Sequence, residues 1–237
     1  MTPGALKSAL VNAAAARYHA AGKFAVHFAR GKLRVDPLFV ALLEGGLIPS
    51  VARVLDLGCG QGLLSAWLLA AQASARRGQW CGQWPTPPHT ISLHGIEVMA
   101  RDVTRARLAL GSEAEVALGD ICRTAFVAAD AIVILDVLHY LSYASQEEVL
   151  RRARASLAAG GVLLLRVGNA DGGWAFKISN WIDQSVLLAR GHGWVPLRCR
   201  SIPQWLQLLD RLEFQVETKP MSKGTPFANV LLIGRVP

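Results

Sequence analysis

The chain has 237 residues, of which 52% are hydrophobic and 18% charged, and its formal net charge is +8 at pH 7. This length allows a sizeable core, and no uninterrupted apolar run is long enough to span a bilayer. The four cysteines at positions 59, 81, 122 and 199 form neither a C-x-x-C pair nor a metal-ligand spacing, so we expect no metal site, reduced thiols and a cytoplasmic location.

The first 35 residues carry charge of one sign, because no acidic residue precedes Asp36. Apolar residues recur there at helical spacing, which predicts helices over residues 3–29 and 36–45. The basic composition loosely resembles a transit peptide, but the broken alanine run argues against a secretory signal. We interpret residues 1–49 as an N-terminal helical lid on a single domain that covers residues 1–237.

A glycine-rich turn joins the first predicted strand, residues 53–57, to a predicted helix over residues 63–74. The turn reads Asp56-Leu-Gly58-Cys-Gly60-Gln-Gly62. Glycine permits positive φ and a close approach of the backbone to a ligand, and the helix start behind the turn offers free N–H groups. Such a turn suits a dinucleotide phosphate, but the pattern G-x-G-x-x-G/A fails because position 63 is Leu.

Strand and helix patterns alternate along the rest of the chain. The sequence Ser-Gln-Glu-Glu at residues 145–148 matches a capping box, and Ser-Ile-Pro-Gln at residues 201–204 repeats that signal. The predicted strands cover residues 91–97, 114–118, 130–136, 162–168, 213–219 and 228–235, and the predicted helices cover residues 100–110, 145–160 and 202–211.

This alternation predicts an α/β fold, namely a Rossmann-like, doubly wound seven-stranded sheet with helices on both faces. Only about nine residues separate the last two strands. That connection is too short for a helical crossover, so the last strand should be antiparallel. Ligands of such sheets bind beyond the carboxyl ends of the strands, at the switch point of the strand order.

The turn with Asp56, Gly58, Gly60 and Gly62 resembles motif I of the class I S-adenosylmethionine-dependent methyltransferases. The resemblance implies S-adenosylmethionine as cofactor, S-adenosylhomocysteine as product and an antiparallel seventh strand. It makes residues 50–168 the cofactor-binding half, residues 169–200 a substrate-side insertion and residues 201–237 a C-terminal helix with a strand pair. The residues it assigns to the cofactor are Asp56, Gly58, Cys59, Gly60, Gly62, Glu97, Val98, Asp120, Ile121, Asp136 and Val137.

Two of these carboxylates also have ordinary structural explanations. Glu97 ends the second predicted strand, where a carboxylate can accept both ribose hydroxyls, but an acid at a helix start is equally common there. Asp120 resembles the residue that binds the adenine amino group in this family, while Ile121 would pack on the ring. An Asx turn explains Asp120 without any ligand.

The end of the fourth predicted strand distinguishes between substrate classes. The segment there reads Asp136-Val-Leu-His139-Tyr-Leu. It lacks the (D/N/S)-P-P-(Y/F/W) element of amino-methylating nucleic-acid enzymes, and it lacks the Pro-Cys or Thr-Cys dipeptide that a cytosine-C5 enzyme uses for covalent attack. It looks instead like the small-molecule methyltransferases. The candidate bases are His27, His139 and His192, because histidine titrates near neutral pH. The candidate substrate-binding residues are Tyr18, Phe24, Arg30, Lys32, Tyr140, Trp174 and Phe176.

We therefore predict an enzyme that transfers a methyl group to oxygen or carbon of a small apolar or aromatic metabolite, free or bound to an acidic carrier protein. The basic charge fits a solvated surface, an acidic partner or an RNA groove, although the cations form no long run. An RNA methyltransferase and a non-catalytic S-adenosylmethionine-binding protein stay open as alternatives. Of these, nucleic acid is the partner that the motifs favour least.

Overall fold

A computed structural model of the chain describes residues 1–168, 198–221 and 229–237. Its seven strands are β1 (Val51–Leu57), β2 (Thr90–Glu97), β3 (Glu115–Leu118), β4 (Ala129–Leu135), β5 (Leu157–Gly168), β6 (Gln215–Pro220) and β7 (Asn229–Arg235). They form one sheet in the order β3-β2-β1-β4-β5-β7-β6. Strands β1 to β5 run parallel, and β7 pairs antiparallel with both β5 and β6.

This topology confirms the predicted doubly wound sheet with an antiparallel last strand. The last strand lies between β5 and β6, so β6 forms the sheet edge. The strand order reverses between β1 and β4, and a crevice therefore opens at the carboxyl ends of these two strands.

Helices cover both faces of the sheet, as predicted. The seven helices within the described ranges are α1 (Pro3–Ala16), α2 (Lys23–Val35), α3 (Pro37–Glu44), α4 (Leu63–Arg76), α5 (Ala100–Leu110), α6 (Tyr143–Ser156) and α7 (Ile202–Arg211). Successive residues of β1 point to opposite faces, so Val54 packs in the core with α1 to α5 and Leu55 in the core with α6 and α7. None of these helices has the length and apolar character of a membrane span.

Three sequence predictions need correction at element boundaries. The helix predicted over residues 3–29 is two helices, because Gly22 has a positive φ of 96° that no α-helix continues. The helix predicted from Ser145 begins one turn earlier, since the Ser142 side chain accepts the N–H of Ser145 and caps it. It ends at Ser156, and β5 begins at once, five residues before the predicted start.

Candidate active site

A cavity of about 550 Å³ lies at the carboxyl ends of β1 and β4, where α2 and the start of α5 enclose it. Its volume falls within the range typical of small-molecule sites, about 300–1,000 Å³. The predicted cofactor residues that line it are Asp56, Gly58, Cys59, Gly60 and Asp136, and the predicted substrate residues that line it are Phe24 and Lys32. The fold thus brings residues from both predicted sets to one cavity.

The three glycines of the turn after β1 have different roles, although all three have positive φ. A Cβ at Gly58 would collide with the Val137 side chain, and one at Gly62 would lie 2.7 Å from Leu110 Cδ1. These two glycines therefore serve packing within the protein. A Cβ at Gly60 would meet no atom within 4 Å and would project into open space, and Gly60 lines the cavity. Gly60 is the position where a ligand can approach the backbone.

Two carboxylates lie next to this turn. Burial, together with the nearby Glu97 carboxylate, raises the pKa of Asp56 to about 7. Glu97 is itself buried, and its two oxygens accept the N–H groups of Gly60 at 2.9 Å and Met99 at 2.8 Å. Glu97 therefore connects the turn after β1 to the end of β2. A cationic ligand in the cavity would favour the ionised form of Asp56.

Four alternating charges form a chain on the β5 side of the cavity, and the two central residues of this chain, Asp36 and Arg166, are buried. The Arg166 guanidinium is 3% exposed, and its Nη1 donates to both oxygens of Asp36 at 2.7 Å. Its Nε donates to Asp136 Oδ1 at 2.9 Å, and its Nη2 donates to Asp136 Oδ2. Lys32 Nζ lies 3.0 Å from Asp36 Oδ2 and completes the chain. These four residues link α2, the cap of α3, β5 and the end of β4.

The two cations of this charge chain keep Asp36 ionised. Burial alone would raise the pKa of Asp36, but the charges of Arg166 and Lys32 and the hydrogen bonds to Asp36 hold it below its ordinary value. Asp136 takes a left-handed conformation with φ of 57°, which Asp tolerates better than most residues. The bidentate bond from Arg166 fixes its carboxylate at the cavity wall.

Sequence reasoning missed Asp36 and Arg166 as site residues, although a signal for each was present. Arg166 is the one charged residue in the apolar run from Val162 to Val167, and a cation in a buried strand needs a carboxylate partner. Asp36 precedes Pro37, which is typical of a helix cap, and its side chain does accept the N–H of Leu38 at 3.0 Å.

Two aromatic side chains of α2 form another part of the cavity wall. The rings of Phe24 and Phe28 are nearly parallel, with an interplanar angle of 14° and centroids 6.2 Å apart. Phe24 is 64% exposed and Phe28 is 38% exposed, while Arg105 Cζ lies 4.9 Å from the centre of the Phe24 ring. Phe28 was not among the predicted residues, yet it lines the cavity beside Phe24. A flat apolar ligand would cover these two rings.

Several predicted residues lie outside this cavity. Tyr18 is buried in the core, where its hydroxyl donates to the carbonyl of Gln61 at 2.9 Å. His27 and Arg30 lie on the exposed face of α2. Val98 is 64% exposed, and Asp120 accepts the N–H of Cys122 at 2.8 Å as in an Asx turn, followed by the buried Ile121. The predicted residues Trp174, Phe176 and His192 lie outside the described residues.

His139 and Tyr140 follow β4 in a short turn, with ring centroids 4.1 Å apart. Burial lowers the pKa of His139, although the Asp136 carboxylate partly opposes this shift, so the ring is neutral at pH 7. His139 lines a second, very small cavity, and Arg166 forms the wall between that cavity and the main one. In the described part of the chain, no cluster of His, Cys, Asp or Glu has a metal-binding arrangement.

Solved structures with this fold include methyltransferases. Magnesium protoporphyrin IX methyltransferase (ChlM) from Synechocystis, with bound S-adenosylhomocysteine, matches at a TM-score of 0.59 and 17% identity, over 91% of this chain and 89% of its own. Mitomycin 7-O-methyltransferase MmcR matches at a TM-score of 0.59 and 22% identity, over 88% of this chain and 56% of its own. An O-methyltransferase family 2 protein from Planctomyces limnophilus, in complex with apigenin, matches at a TM-score of 0.62 and 14% identity, over 90% of this chain and 60% of its own.

This chain thus spans little more than half of the last two proteins. At these identities the structural likeness shows the fold, and no curated protein sequence matches the chain. The family model described as a methyltransferase domain matches residues 26–219, which is well over half of the sequence. The chain therefore belongs to the methyltransferase domain family, in agreement with its predicted resemblance to the class I S-adenosylmethionine-dependent enzymes.

Proposed function

We propose that this protein transfers the methyl group of S-adenosylmethionine to oxygen or carbon of a small apolar or aromatic acceptor bound in the main cavity. The observation that carries the proposal is the meeting of two surfaces in one cavity. The open face of Gly60 and the buried carboxyl of Asp56 suit the cofactor, whereas the Phe24–Phe28 wall suits a flat acceptor.

The residues of the cofactor half have distinct proposed tasks. Gly60 lets the backbone approach the amino-acid end of the cofactor, and the ionised Asp56 offsets positive charge there. Glu97 accepts the ribose hydroxyls, for which it must exchange at least one of its two backbone N–H partners. Asp120 accepts the adenine amino group while Ile121 packs on the ring. Gly58, Cys59, Gly62, Val98, Asp136 and Val137 complete the proposed cofactor set.

The sulfonium group of the bound cofactor supplies an already activated methyl group, so the protein's main task is to align the acceptor and exclude water. The buried wall formed by Phe39 and Leu64 favours water exclusion. The lowered pKa of His139 keeps its ring neutral and able to accept a proton from a hydroxyl acceptor. We propose His139 as the base, ahead of His27 on the outer face of α2 and of His192; because His139 lines the small cavity beyond Arg166, its ring must move toward the main cavity to reach the acceptor.

The form in which the acceptor arrives is a separate proposal. A free metabolite needs only the cavity, and Lys32, Arg30 and Tyr140 stay candidates for orienting it together with Trp174 and Phe176. The net charge of +8 supports an acidic carrier protein as an alternative bearer of the acceptor. We also propose a cytoplasmic location and a biosynthetic role. The four cysteines, all free thiols, are compatible with a reducing compartment.

The test is methyl transfer from radiolabelled S-adenosylmethionine to a panel of hydroxylated and carboxylated aromatic compounds, with total RNA as a parallel substrate. We expect label in at least one aromatic acceptor class, and a His139→Ala variant should lose transfer to hydroxyl acceptors while it still binds the cofactor. Label in RNA would support the RNA methyltransferase instead. Tight cofactor binding without transfer to any compound would support a non-catalytic binding protein.

A further inference from the structure

The outer surface of α2 has two parallel stripes of different chemistry. Residues spaced by four, three and four positions align along one side of a helix. At this spacing, Phe24, Phe28, Gly31 and Val35 form an apolar stripe, and Lys23, His27, Arg30 and Arg34 form a cation stripe beside it. Phe24, Phe28 and Val35 are 64%, 38% and 63% exposed, and all four members of the cation stripe are exposed.

The buried side of α2 is a third, separate face. Ala25, Val26, Ala29 and Leu33 on that side pack into the core, so neither stripe is needed to hold the helix on the body of the protein. The two outer stripes together extend over residues 23–35, about 18 Å of helix at 1.5 Å per residue.

The positive charge of the cation stripe is not neutralised by the protein. Within residues 1–168, 198–221 and 229–237, Lys23, Arg30 and Arg34 make no ion pair, and Lys32 is the residue of α2 that binds a carboxylate. No acidic residue occurs in α1, α2 or the turn between them. Arg105 of α5 lies over the Phe24 ring, but its charge is paired with Asp102, so the unpaired cations beside the exposed rings are those of the cation stripe.

We propose that α2 rests on an anionic lipid surface, with the apolar stripe in the headgroup region and the cation stripe on the lipid phosphates. An apolar stripe bordered by lysine and arginine is the arrangement of helices that lie in the plane of a membrane interface. Because Phe24 and Phe28 also line the main cavity, this placement turns the cavity mouth toward the bilayer. It gives an apolar acceptor a route from the lipid phase, and this last point rests on the proposed function.

The apolar stripe favours lipid over the other anionic partners. An acidic protein or an RNA strand would be held by the cations, and RNA bases would also stack on phenylalanine. Neither needs Val35, which is aliphatic, 63% exposed and three turns from Phe24 along the same side of the helix. Lipid uses the whole stripe, because it accepts aromatic and aliphatic side chains alike.

The experiment is sedimentation of the full chain with phosphatidylcholine vesicles, with and without phosphatidylglycerol. We expect binding to the anionic vesicles only, and loss of binding in high salt. The double variant Lys23→Glu with Arg34→Glu should bind anionic vesicles about tenfold more weakly or worse. The variant Val35→Ser should also weaken vesicle binding. The matched control reverses the same charge at the exposed end of α4, through Arg76→Glu with Arg77→Glu, and should bind as the unaltered protein does.

Three results would overturn the proposal. The first is the absence of binding to anionic vesicles, and the second is an equal loss of binding in the α4 control. The third is tighter binding to a polyuridine oligomer that depends on Lys23 and Arg34 but not on Val35. Binding of S-adenosylhomocysteine is measured in the same samples, since none of the altered residues lines the cavity. If the unaltered protein binds S-adenosylhomocysteine but not anionic vesicles, only the proposed lipid surface is rejected. If the unaltered protein does not bind S-adenosylhomocysteine, the proposed function is rejected.

Discussion

At the residue scale, Gly60 decides whether the glycine turn is a ligand site or only a connection. We expect Gly60→Val to abolish S-adenosylhomocysteine binding, because its side chain would occupy the open space where the cofactor approaches. Gly78 is a matched control, since it also has positive φ, lies on the surface after α4 and has no atom near its added Cβ. Gly78→Val should keep the affinity in a calorimetric titration, and unchanged affinity in Gly60→Val would refute the assignment.

Asp56 makes stability and binding depend on pH in opposite directions. Burial raises its pKa from 3.8 to about 7, so the ligand-free fold is most stable with this carboxyl protonated. Its contribution is complete below the unfolded-state pKa and is lost as the pH rises through about 7. Compared with Asp56→Asn, the unaltered protein should lose thermal stability between about pH 4 and about pH 7 and change little above that.

Cofactor binding should show the reverse dependence, because the amino group of S-adenosylhomocysteine favours the ionised carboxylate. The affinity of the unaltered protein should rise over the same pH range, with proton release visible in buffers of different ionisation enthalpy. Asp56→Asn should bind more weakly and with a flatter pH profile. Equal pH profiles for the two proteins would place Asp56 away from the ligand's positive charge.

The site residues that can be predicted from the sequence are those that lie directly at the end of a predicted strand. The glycine turn after β1 and Glu97 after β2 each follow directly from a strand end, and the parallel sheet brings the two strand ends together. The chain from Asp36 through Arg166 to Asp136 is different, because Asp36 and Arg166 are 130 positions apart. Spacing gives no information on such a contact, which arises only when the fold places the cap of α3 beside Arg166 of β5.

At the element scale, Arg166 joins the N-terminal helices to the carboxyl end of β4. We expect Arg166→Met to lower the free energy of unfolding by about 3 kcal/mol, because it leaves the buried Asp36 with only the partly exposed Lys32 as its cation and removes the bidentate partner of the partly exposed Asp136. The loss should also weaken cofactor binding, since Asp136 lines the cavity and would no longer be fixed. Urea denaturation and calorimetry measure the two effects separately.

Arg53 provides the matched control, because it makes a comparable bidentate bond to Asp130 at the opposite, amino end of the sheet. Arg53→Met should change stability much less, since this pair is exposed to solvent, and should leave cofactor binding intact. Arg166→Lys should restore part of the stability but not the fixed position of Asp136, as lysine lacks the planar fork. If both methionine variants behaved alike, Arg166 would have only a structural role.

The element boundaries show where periodicity alone is insufficient. The order and type of the strands followed from alternating apolar runs, and the Ser201 capping box is present with both of its hydrogen bonds. The helix over residues 3–29 was predicted as continuous because apolar residues on both sides of Gly22 keep a helical spacing. Ser142 and Ser145 both fit a cap, and the choice between them depends on where the chain leaves the sheet.

At the scale of the whole molecule, the described elements place two proposed binding surfaces at the same end of the sheet. The carboxyl ends of β1 and β4 offer the cofactor surface, and α2 supplies both the aromatic wall of the cavity and the charged outer face. A cationic N-terminal region could be recognised from composition, because the first 35 residues contain no acid. The separation of α2 into a buried face and two outer stripes required the structure.

The central claim is that the turn after β1 binds S-adenosylmethionine, and a calorimetric titration of the full chain with S-adenosylhomocysteine tests it most directly. NAD and FAD serve as controls, because they represent the dinucleotides that a glycine-rich turn in this fold can also hold. We predict micromolar binding of S-adenosylhomocysteine and no binding of either dinucleotide. Absence of binding, or a preference for NAD or FAD, would contradict the account.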